Sequence, residues 1–445
     1  MKTIDFQSIN HPQIFFGLLT LIYFIIQPWF RTTSNDLWLL ISLFSLAYIA
    51  YLKASKQNKQ LETPNRLKQL FLALSLLPLV SIVSYLASPL ENMTPSQLEP
   101  DIRWLLIIPI IIALRAAEVG PRWIIACIAG YILSSFTSAF IDTNNMQNLR
   151  IRANGDENAV TYGMFNATVT LMALAVFVSA YIKNNNHNTI KPIVIRAGLI
   201  VIFTLGIIAC FLSGTRAAIM LIPLVLAVLY ATQYSTKKAI LGSGVILLTL
   251  TTFITLNQQT AFVKRIISTP EKIVNYFEKA DKKSKLTSVG QRLEIWQESV
   301  CIFKKHPILG TGPRSFSQAH QKFGGIDHCN ATQYLQQGFY QAHSVYFNTL
   351  GTLGIAGIIS LSLIVFLSMK QIPSALKSTS TTIQLGGLLM LTVLLCHIIN
   401  GLTVDLWFRN HVISKNLLIW ALPVVLIFGF KKTTQNAPMA KELTN

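Results

Sequence analysis

The chain has 445 residues, of which 52% are hydrophobic and only 12% are charged, and its formal net charge is +19. Soluble domains carry about a quarter charged residues, so this composition excludes an ordinary soluble protein and indicates lipid as the solvent. A positive balance is also typical of proteins that bind nucleic acids. Here the basic residues lie between apolar runs rather than in one cluster, so we predict membrane lipids and not nucleic acid as partners.

The apolar runs predict an all-α, polytopic integral membrane protein with about twelve transmembrane helices, each built from about 20 mostly apolar residues. No clear charged region precedes the first run and no small-residue cleavage site follows it, so we interpret it as a retained span and not a signal peptide. The predicted spans lie near 14–30, 36–53, 69–88, 103–117, 122–141, 160–182, 194–212, 216–233, 239–256, 342–368, 382–403 and 412–430.

Lysine and arginine in short loops mark the cytoplasmic side of a membrane. Each gap after an even-numbered span is basic, whereas the gap after the third span, SPLENMTPSQLEPD, is acidic and has neither residue. This alternation predicts that both termini are cytoplasmic. We therefore predict four regions, which are spans one to nine (1–256), a large outward loop (257–340), spans ten to twelve (341–430) and a cytoplasmic tail (431–445).

The outward loop contains twelve Lys or Arg and six Asp or Glu, and long loops are exempt from the charge rule. Apolar residues at helical spacing on both sides of Pro270 predict short amphipathic helices at the membrane surface. Ser288 has the spacing of a capping box and opens a further helix, which should end near His306 because a proline follows. Cys301 and Cys329 share the loop, where an oxidising compartment would permit a disulfide.

Arginines on the outward side are candidate site residues. Arg216 lies at the outer interface in the very short gap FLSGTRAAIM, where a charge is costly unless it is paired or faces a polar cavity. A snorkelling arginine is the alternative, but an arginine without a function would be placed at lower cost on the cytoplasmic side. Arg292 begins the loop helix beside its apolar stripe, with an ordinary solvated charge as the alternative. Arg265 is a weaker candidate, and the alternative is that it binds anionic lipid head groups.

His343 lies at the outer start of span ten, in QAHSVYFNTLGTLGIAG. A neutral imidazole accepts a proton near pH 7, so His343 is a candidate general base, and a hydrogen-bonded interfacial histidine is the alternative. Gly351, Gly354 and Gly357 follow at a spacing that lets helices approach closely. The segment HPILGTGP (306–313) predicts a helix stop and a plain tight turn, with glycine N–H groups that bind a phosphate as the alternative.

Four motifs resemble those of the O-antigen ligase family, and they follow one another around a single long outward loop. The resemblance extends over about residues 150–430, and this order of motifs is shared by the ligase and O-antigen polymerase superfamily. The N-terminal spans match only as hydrophobic helices. The motifs are SGTRAA at 213–218, the QR-x-x-x-W-x-x-S pattern from Gln291 to Ser299, the HP-x-x-G-x-G turn at 306–312 and the HS-x-Y helix start at 343–346.

The resemblance implies a GT-C-like glycosyltransferase of the cell inner membrane whose active site faces the periplasm. The donor would be an O-antigen glycan on undecaprenyl pyrophosphate, and the acceptor would be a sugar hydroxyl of lipid A–core in lipopolysaccharide biosynthesis. The family's reaction is inverting and metal-independent, so no metal and no cofactor are expected. By position, Arg216 and Arg292 match the arginines that engage the donor pyrophosphate, and His343 matches the proposed base. Arg265 matches less closely, because its surroundings form no clear motif.

The chemistry of such a transfer requires the same groups. The leaving pyrophosphate gains negative charge as the glycosidic bond breaks, and arginine binds phosphate bidentately without losing its proton. The acceptor hydroxyl must lose a proton to a base within hydrogen-bond reach. Three other functions stay open, namely an O-antigen polymerase, a protein O-oligosaccharyltransferase and a lipid or solute transporter. A transporter is disfavoured because polar residues gather at the outer interface, with His397 as the main polar exception within a span.

Overall fold

The computed structural model describes residues 11–144, 158–179, 192–233, 255, 261–279, 282–323, 341–405 and 410–429. All regular elements within those residues are helical, as the apolar runs predict. The α-helices are α1 (His11–Ile26), α2 (Arg31–Ala54), α3 (Asn65–Leu86), α4 (Glu99–Ala116), α5 (Pro121–Asn144), α6 (Ala159–Val178), α7 (Pro192–Leu212), α8 (Arg216–Gln233), α9 (Ala261–Lys279), α10 (Lys282–Lys285), α11 (Ser288–Lys305), α12 (Phe316–Phe323), α13 (Val345–Leu376), α14 (Thr381–Asn400) and α15 (Asn410–Phe428). Two short 3-10 helices, η1 (Asn58–Leu61) and η2 (Pro95–Leu98), lie just before α3 and α4.

Seven helical segments of the described residues are long and apolar enough to cross a membrane. Large apolar side chains on their outer faces are exposed, among them Leu43 at 61%, Leu72 at 74% and Phe366 at 60%. Apolar surface of this extent is covered by lipid in a stable protein, so these helices indicate a multi-pass membrane protein. The seven segments are Thr32–Ala54, Asn65–Leu86, Pro121–Asp142, Ala159–Val178, Val194–Leu212, Val345–Leu376 and Thr381–Asn400.

A helix occupies each predicted span that lies among the described residues. Two further apolar helices, His11–Ile26 and Val412–Phe428, are shorter than the seven. The predicted ninth span, near 239–256, lies outside the described residues apart from residue 255. The total of twelve spans therefore stays a prediction.

The described part of the predicted outward loop is held together by buried carboxylates. Glu294 of α11 accepts a hydrogen bond from the hydroxyl of Tyr276 in α9 at 2.9 Å, and Lys285 Nζ lies 3.2 Å from the same carboxylate oxygen. Glu298, about one turn further along α11, pairs with Nδ1 of His320 in α12. A buried carboxylate is costly unless it is paired, so these contacts fix the four helices α9 to α12 relative to one another.

The first and last residues of α11 can be compared with those predicted from the capping box and the proline. The helix ends with His306 as its C-cap, as predicted from the following proline. The predicted N-cap at Ser288 is wrong by one residue, because Thr287 Oγ1 accepts a backbone N–H of the first turn at 3.0 Å. Cys301 on this helix is disulfide-bonded. Its predicted partner, Cys329, lies outside the described residues.

Candidate active site

His343 lies in the short segment before α13, and its backbone has a φ of +51°. This left-handed conformation costs a residue with a side chain roughly 1–3 kcal/mol, so neighbouring contacts must hold it. Ser344 Oγ donates to the carbonyl oxygen of Gly401 at 3.0 Å, and the N–H of Val345 donates to the same oxygen at 2.9 Å. The end of α14 therefore fixes the backbone that presents His343.

The imidazole of His343 is half-buried, and its Nδ1 lies 3.4 Å from Nε2 of Gln341. The two ends of a glutamine amide exchange by a simple flip, so Gln341 can donate to Nδ1 or accept from it through Oε1. In the second arrangement Nδ1 carries the proton and Nε2 is left as the proton acceptor. Gln341 is thus placed to select which ring nitrogen acts as a base.

The loop helix α11 docks directly on the segment that holds His343. Trp296 Nε1 donates to the carbonyl oxygen of Ala342 at 3.1 Å. Its indole stacks on the ring of Phe347, with centroids 4.8 Å apart and an interplanar angle of 11°. Arg292 is half-buried and lies four residues before Trp296, so both are on the same face of the helix. The structure therefore brings two predicted site residues, Arg292 and His343, into one neighbourhood.

Helix α13 is interrupted at Gly354, where φ is +61° and ψ is −155°. The turn that follows α11 fills this interruption. The N–H groups of Ile355 and Ala356, which a continuous helix would bond internally, donate to the carbonyls of Pro307 and Ile308 at 2.9 and 3.1 Å. The loop and the helix are thus joined by backbone hydrogen bonds.

Glycine is required on both sides of this contact. A Cβ on Gly354 would lie 2.6 Å from the backbone carbonyl of Ile308, and a Cβ on Gly310 would lie 2.3 Å from the carbonyl carbon of Thr352. The N–H groups of Gly310 and Gly312 donate to carbonyls of the turn and of α13 at 3.1 and 2.9 Å. Both donors are engaged within the chain. The segment is therefore the plain turn that was predicted, and the alternative that it binds a phosphate is wrong.

Arg216 is the first residue of α8, and the SGT turn before it fixes its backbone. Thr215 Oγ1 donates to the carbonyl of Ala159 at 2.7 Å, and Ser213 Oγ accepts the N–H of Thr215 at 3.2 Å. A Cβ on Gly163 of α6 would lie 2.3 Å from Ser213 Oγ, so the approach of this turn requires glycine. The motif anchors the start of α8 on α6, and the side chain of Arg216 lies outside the described part of the structure.

Arg265 lies near the start of α9, and its side chain is likewise outside the described part. The helix itself is held against α11 by the contact between Tyr276 and Glu294. Arg265 and Arg292 therefore lie on two helices that are joined through one buried carboxylate.

Two comparisons with known proteins bear on this site. Residues 199–362 match the model of the family described as O-antigen ligase. This segment is similar to the O-antigen ligase family. It includes all four predicted site residues, and it confirms the resemblance inferred from the motifs. A protein of Haemophilus influenzae, described as uncharacterised, is 26% identical over 208 residues, which are 45% of this chain and 48% of that relative. The chain thus spans about half the length of the relative that it matches.

The match to the O-antigen ligase family begins at residue 199, yet α3 of the N-terminal half also supports the site. Ser84 Oγ donates to the carbonyl of Leu309 and lies 3.3 Å from that of Thr352. Ser88 Oγ donates to the carbonyl of Thr311 at 2.6 Å. These two serines hold the turn that fills the interruption in α13. Sequence reasoning missed them, because a hydroxyl near a helix end has no distinctive spacing.

The loop between α3 and α4 supports α12 in the same way. Gln318 Nε2 donates to the carbonyl of Asn92 at 3.0 Å, and Gln97 Nε2 donates to Gln318 Oε1 at 3.1 Å. Lys322 Nζ donates to the carbonyl of Pro89 at 3.0 Å. The acidic gap after the third predicted span therefore holds α12 in place through side-chain hydrogen bonds.

Proposed function

We propose that this protein is an O-antigen ligase. It would transfer an O-antigen glycan from undecaprenyl pyrophosphate to a sugar hydroxyl of lipid A–core, with its site on the periplasmic face of the cell inner membrane and both termini in the cytoplasm. The proposal rests above all on one observation, the docking of α11 on the His343 segment through Trp296. The family match of residues 199–362 supports it.

In the proposed reaction, the acceptor hydroxyl oxygen attacks the anomeric carbon of the donor glycan. The bond between that carbon and the pyrophosphate oxygen breaks, and the leaving undecaprenyl pyrophosphate takes the bonding electron pair. His343 accepts the hydroxyl proton, a role that typically contributes 10²–10⁴-fold to a rate. Attack opposite the leaving group inverts the anomeric configuration.

Arginine side chains would meet the charge that develops on the pyrophosphate. Arg292 and Arg216 are assigned this role, and Arg265 is assigned a supporting one. Their planar guanidinium groups match two phosphate oxygens at once and stay protonated at any working pH. Arginines that are already in position stabilise the charge of the transition state without any rearrangement of the site during the reaction. They can therefore replace a metal ion in the proposed reaction.

The left-handed backbone at His343 supports its assignment as the base. Strained backbone that is held by surrounding contacts concentrates at functional sites, where it fixes a side chain in one direction. Here Gly401 supplies those contacts through Ser344 and Val345.

Purified protein, lipid-linked donor and rough lipopolysaccharide test the proposal directly. We expect His343→Ala, Arg216→Ala and Arg292→Ala each to lower transfer by at least about 100-fold, while the variants insert into the membrane at normal levels. Lys304→Ala, an exposed change on α11, is the matched control and should keep full activity. Near-normal transfer by a site variant would remove that residue from the mechanism, and loss of activity in EDTA would contradict the metal-free reaction.

The lipopolysaccharide of a strain that lacks this gene distinguishes an O-antigen ligase from the enzymes with similar chemistry. Loss of a ligase leaves only lipid A–core on a gel, whereas loss of a polymerase leaves core with a single repeat unit. Normal lipopolysaccharide together with missing glycoproteins would identify a protein O-oligosaccharyltransferase. Movement of a labelled substrate across empty vesicles that contain the protein would instead identify a transporter.

A further inference from the structure

A basic surface cavity lies where the end of α2, the helix η1 and the start of α3 meet. Its volume is about 620 Å³. Two lysines, two polar residues, one leucine and one acid form its wall. These residues are Lys53, Asn58, Leu61, Glu62, Thr63 and Lys68.

This cavity is remote from the candidate active site. Lys68 and Ser84 lie on the same helix, α3, and are separated by sixteen residues, or about 24 Å along the axis. Ser84 contacts the turn at the active-site end of the bundle. The cavity is therefore at the opposite end, and its residues take no part in the proposed transfer.

A buried arginine holds one wall of the cavity in place. Arg115, at the end of α4, is 7% exposed. Its Nε donates to the carbonyl of Phe428 at 2.8 Å, and its Nη2 donates to the carbonyl of Glu62. Both acceptors are neutral carbonyls, and the carboxylate of Glu62 partly offsets the guanidinium charge behind the wall. The cavity is thus tied to the ends of α4 and α15 rather than formed by a free loop.

The charges around the cavity favour an anion. The segment 53–68 contains five Lys or Arg and one acid, Glu62. Lys53 and Lys68 face the cavity from two different helices, and Asn58 adds an amide N–H. These donors suit the oxygens of a phosphate group, whereas Glu62 limits how much negative charge the cavity accepts.

The surface beside the cavity favours a lipid as the source of that phosphate. Leu72 lies one turn after Lys68 on the same face of α3 and is 74% exposed. A lipid with its phosphate in the cavity would lay an acyl chain over this apolar side chain. Free phosphate would leave it uncovered.

We propose that this cavity is a binding site for the phosphate group of an anionic phospholipid, with an acyl chain along Leu72. Basic pockets between helices at the cytoplasmic surface recognise lipid head groups in this way. The site would orient the N-terminal helices in the membrane independently of the transfer reaction.

Native mass spectrometry of the purified full chain in detergent tests the site, with phosphatidylglycerol and phosphatidylethanolamine as probes. Lys53→Gln/Lys68→Gln removes the two cavity lysines, and Lys56→Gln/Lys59→Gln removes the same charge outside the cavity wall. Each basic residue near an anionic lipid strengthens binding by roughly fivefold, so the cavity variant should bind phosphatidylglycerol about 25-fold more weakly than wild type. The control pair should stay within about twofold, because its charges are more distant and are screened.

Three outcomes would overturn the proposal. Equal loss of phosphatidylglycerol in both double variants would show a diffuse charge effect and no site. Equal binding of the two lipids by wild type would exclude recognition of an anionic head group. Displacement of phosphatidylglycerol by an equal concentration of inorganic phosphate would show a site for free phosphate. Transfer activity, if present, should be unchanged in Lys53→Gln/Lys68→Gln, which separates this proposal from that of the ligase function.

Discussion

The indole N–H of Trp296 donates to the carbonyl oxygen of Ala342 at 3.1 Å, directly before His343 in the chain. The same indole stacks on Phe347, in the first turn of α13. Trp296, in the predicted outward loop, therefore contacts the chain on both sides of His343. Because Arg292 lies one turn away on the same helix, these two contacts set the spacing between Arg292, the proposed cation, and His343, the proposed base.

Replacement of Trp296 tests whether that spacing matters for catalysis. Trp296→Phe keeps a ring that can stack on Phe347 but removes the donor to Ala342. The loss of one net hydrogen bond is about 1 kcal/mol, so we expect kcat/KM for transfer to fall roughly fivefold. Trp296→Ala also removes the stacking and should lower kcat/KM by roughly 30-fold. The control is Lys304→Ala on the same helix, and full activity of Trp296→Ala would show that α11 is not part of the site.

The interruption of α13 gives a prediction about stability with a built-in control. Gly354→Ala places a Cβ 2.6 Å from the carbonyl of Ile308 at a positive φ, so it should destabilise the protein by roughly 2 kcal/mol or more. Gly351→Ala meets nothing nearer than Ser299 Cα at 3.7 Å, an ordinary contact, and should be tolerated. Size-exclusion chromatography after graded heating in detergent measures both. Equal stability of the two variants would contradict the proposed requirement for glycine at 354.

The comparison of these glycines shows what a sequence can predict in this protein. Apolar runs predict helices well, because a membrane leaves few other structures for a long apolar segment. Gly351 and Gly354 stand three residues apart and each follows a leucine, so the sequence predicts only close packing for both. Gly354 alone takes a positive φ, because a turn from a distant part of the chain supplies the hydrogen bonds that replace the helical ones.

The site itself was predictable only in part. His343, Arg292 and the SGT turn before Arg216 stand in motifs, and the structure gives each of their backbones a defined support. Ser84 and Ser88 stand in no motif, since their role depends on where α3 passes the loop. The N-cap of α11 shows the same limit on a local scale, because Thr287 and Ser288 are both good caps and packing decides between them.

The position of Gln341 beside His343 predicts a change in pH dependence. Gln341→Glu would put a carboxylate beside the imidazole, and a negative charge stabilises its protonated form. A general base must be deprotonated to act, so activity falls as the pH is lowered through the titration of the base. The acidic limb of kcat/KM against pH should therefore move to higher pH.

The isosteric pair Gln341→Glu and Gln341→Met separates this effect from a loss of packing. Gln341→Met keeps the volume but lacks the amide, so it should lower kcat without moving the acidic limb upward. A limb that stays in place in Gln341→Glu, with activity otherwise retained, would show that a group other than His343 accepts the proton.

Helix α9 presents an apolar stripe that predicts where the loop meets the membrane. Ile267, Val274 and Phe277 are 51%, 49% and 67% exposed and lie within one stripe of the helix, whereas Tyr276 is buried against α11. The ninth span is predicted to end only a few residues before this helix, which would place the start of the helix near the membrane surface. Apolar stripes of this kind insert about 5–10 Å into the interface. We therefore expect Phe277 to contact lipid.

Spin labels on a background without the native free cysteines measure this depth in vesicles. A label at Phe277→Cys should be relaxed more by oxygen, which partitions into lipid, than by a water-soluble nickel complex. A label at Lys272→Cys, which lies about 140° away around the helix, should show the reverse order because it faces away from the bilayer. Stronger relaxation by the nickel complex at both positions would place α9 away from the membrane surface and would contradict the prediction.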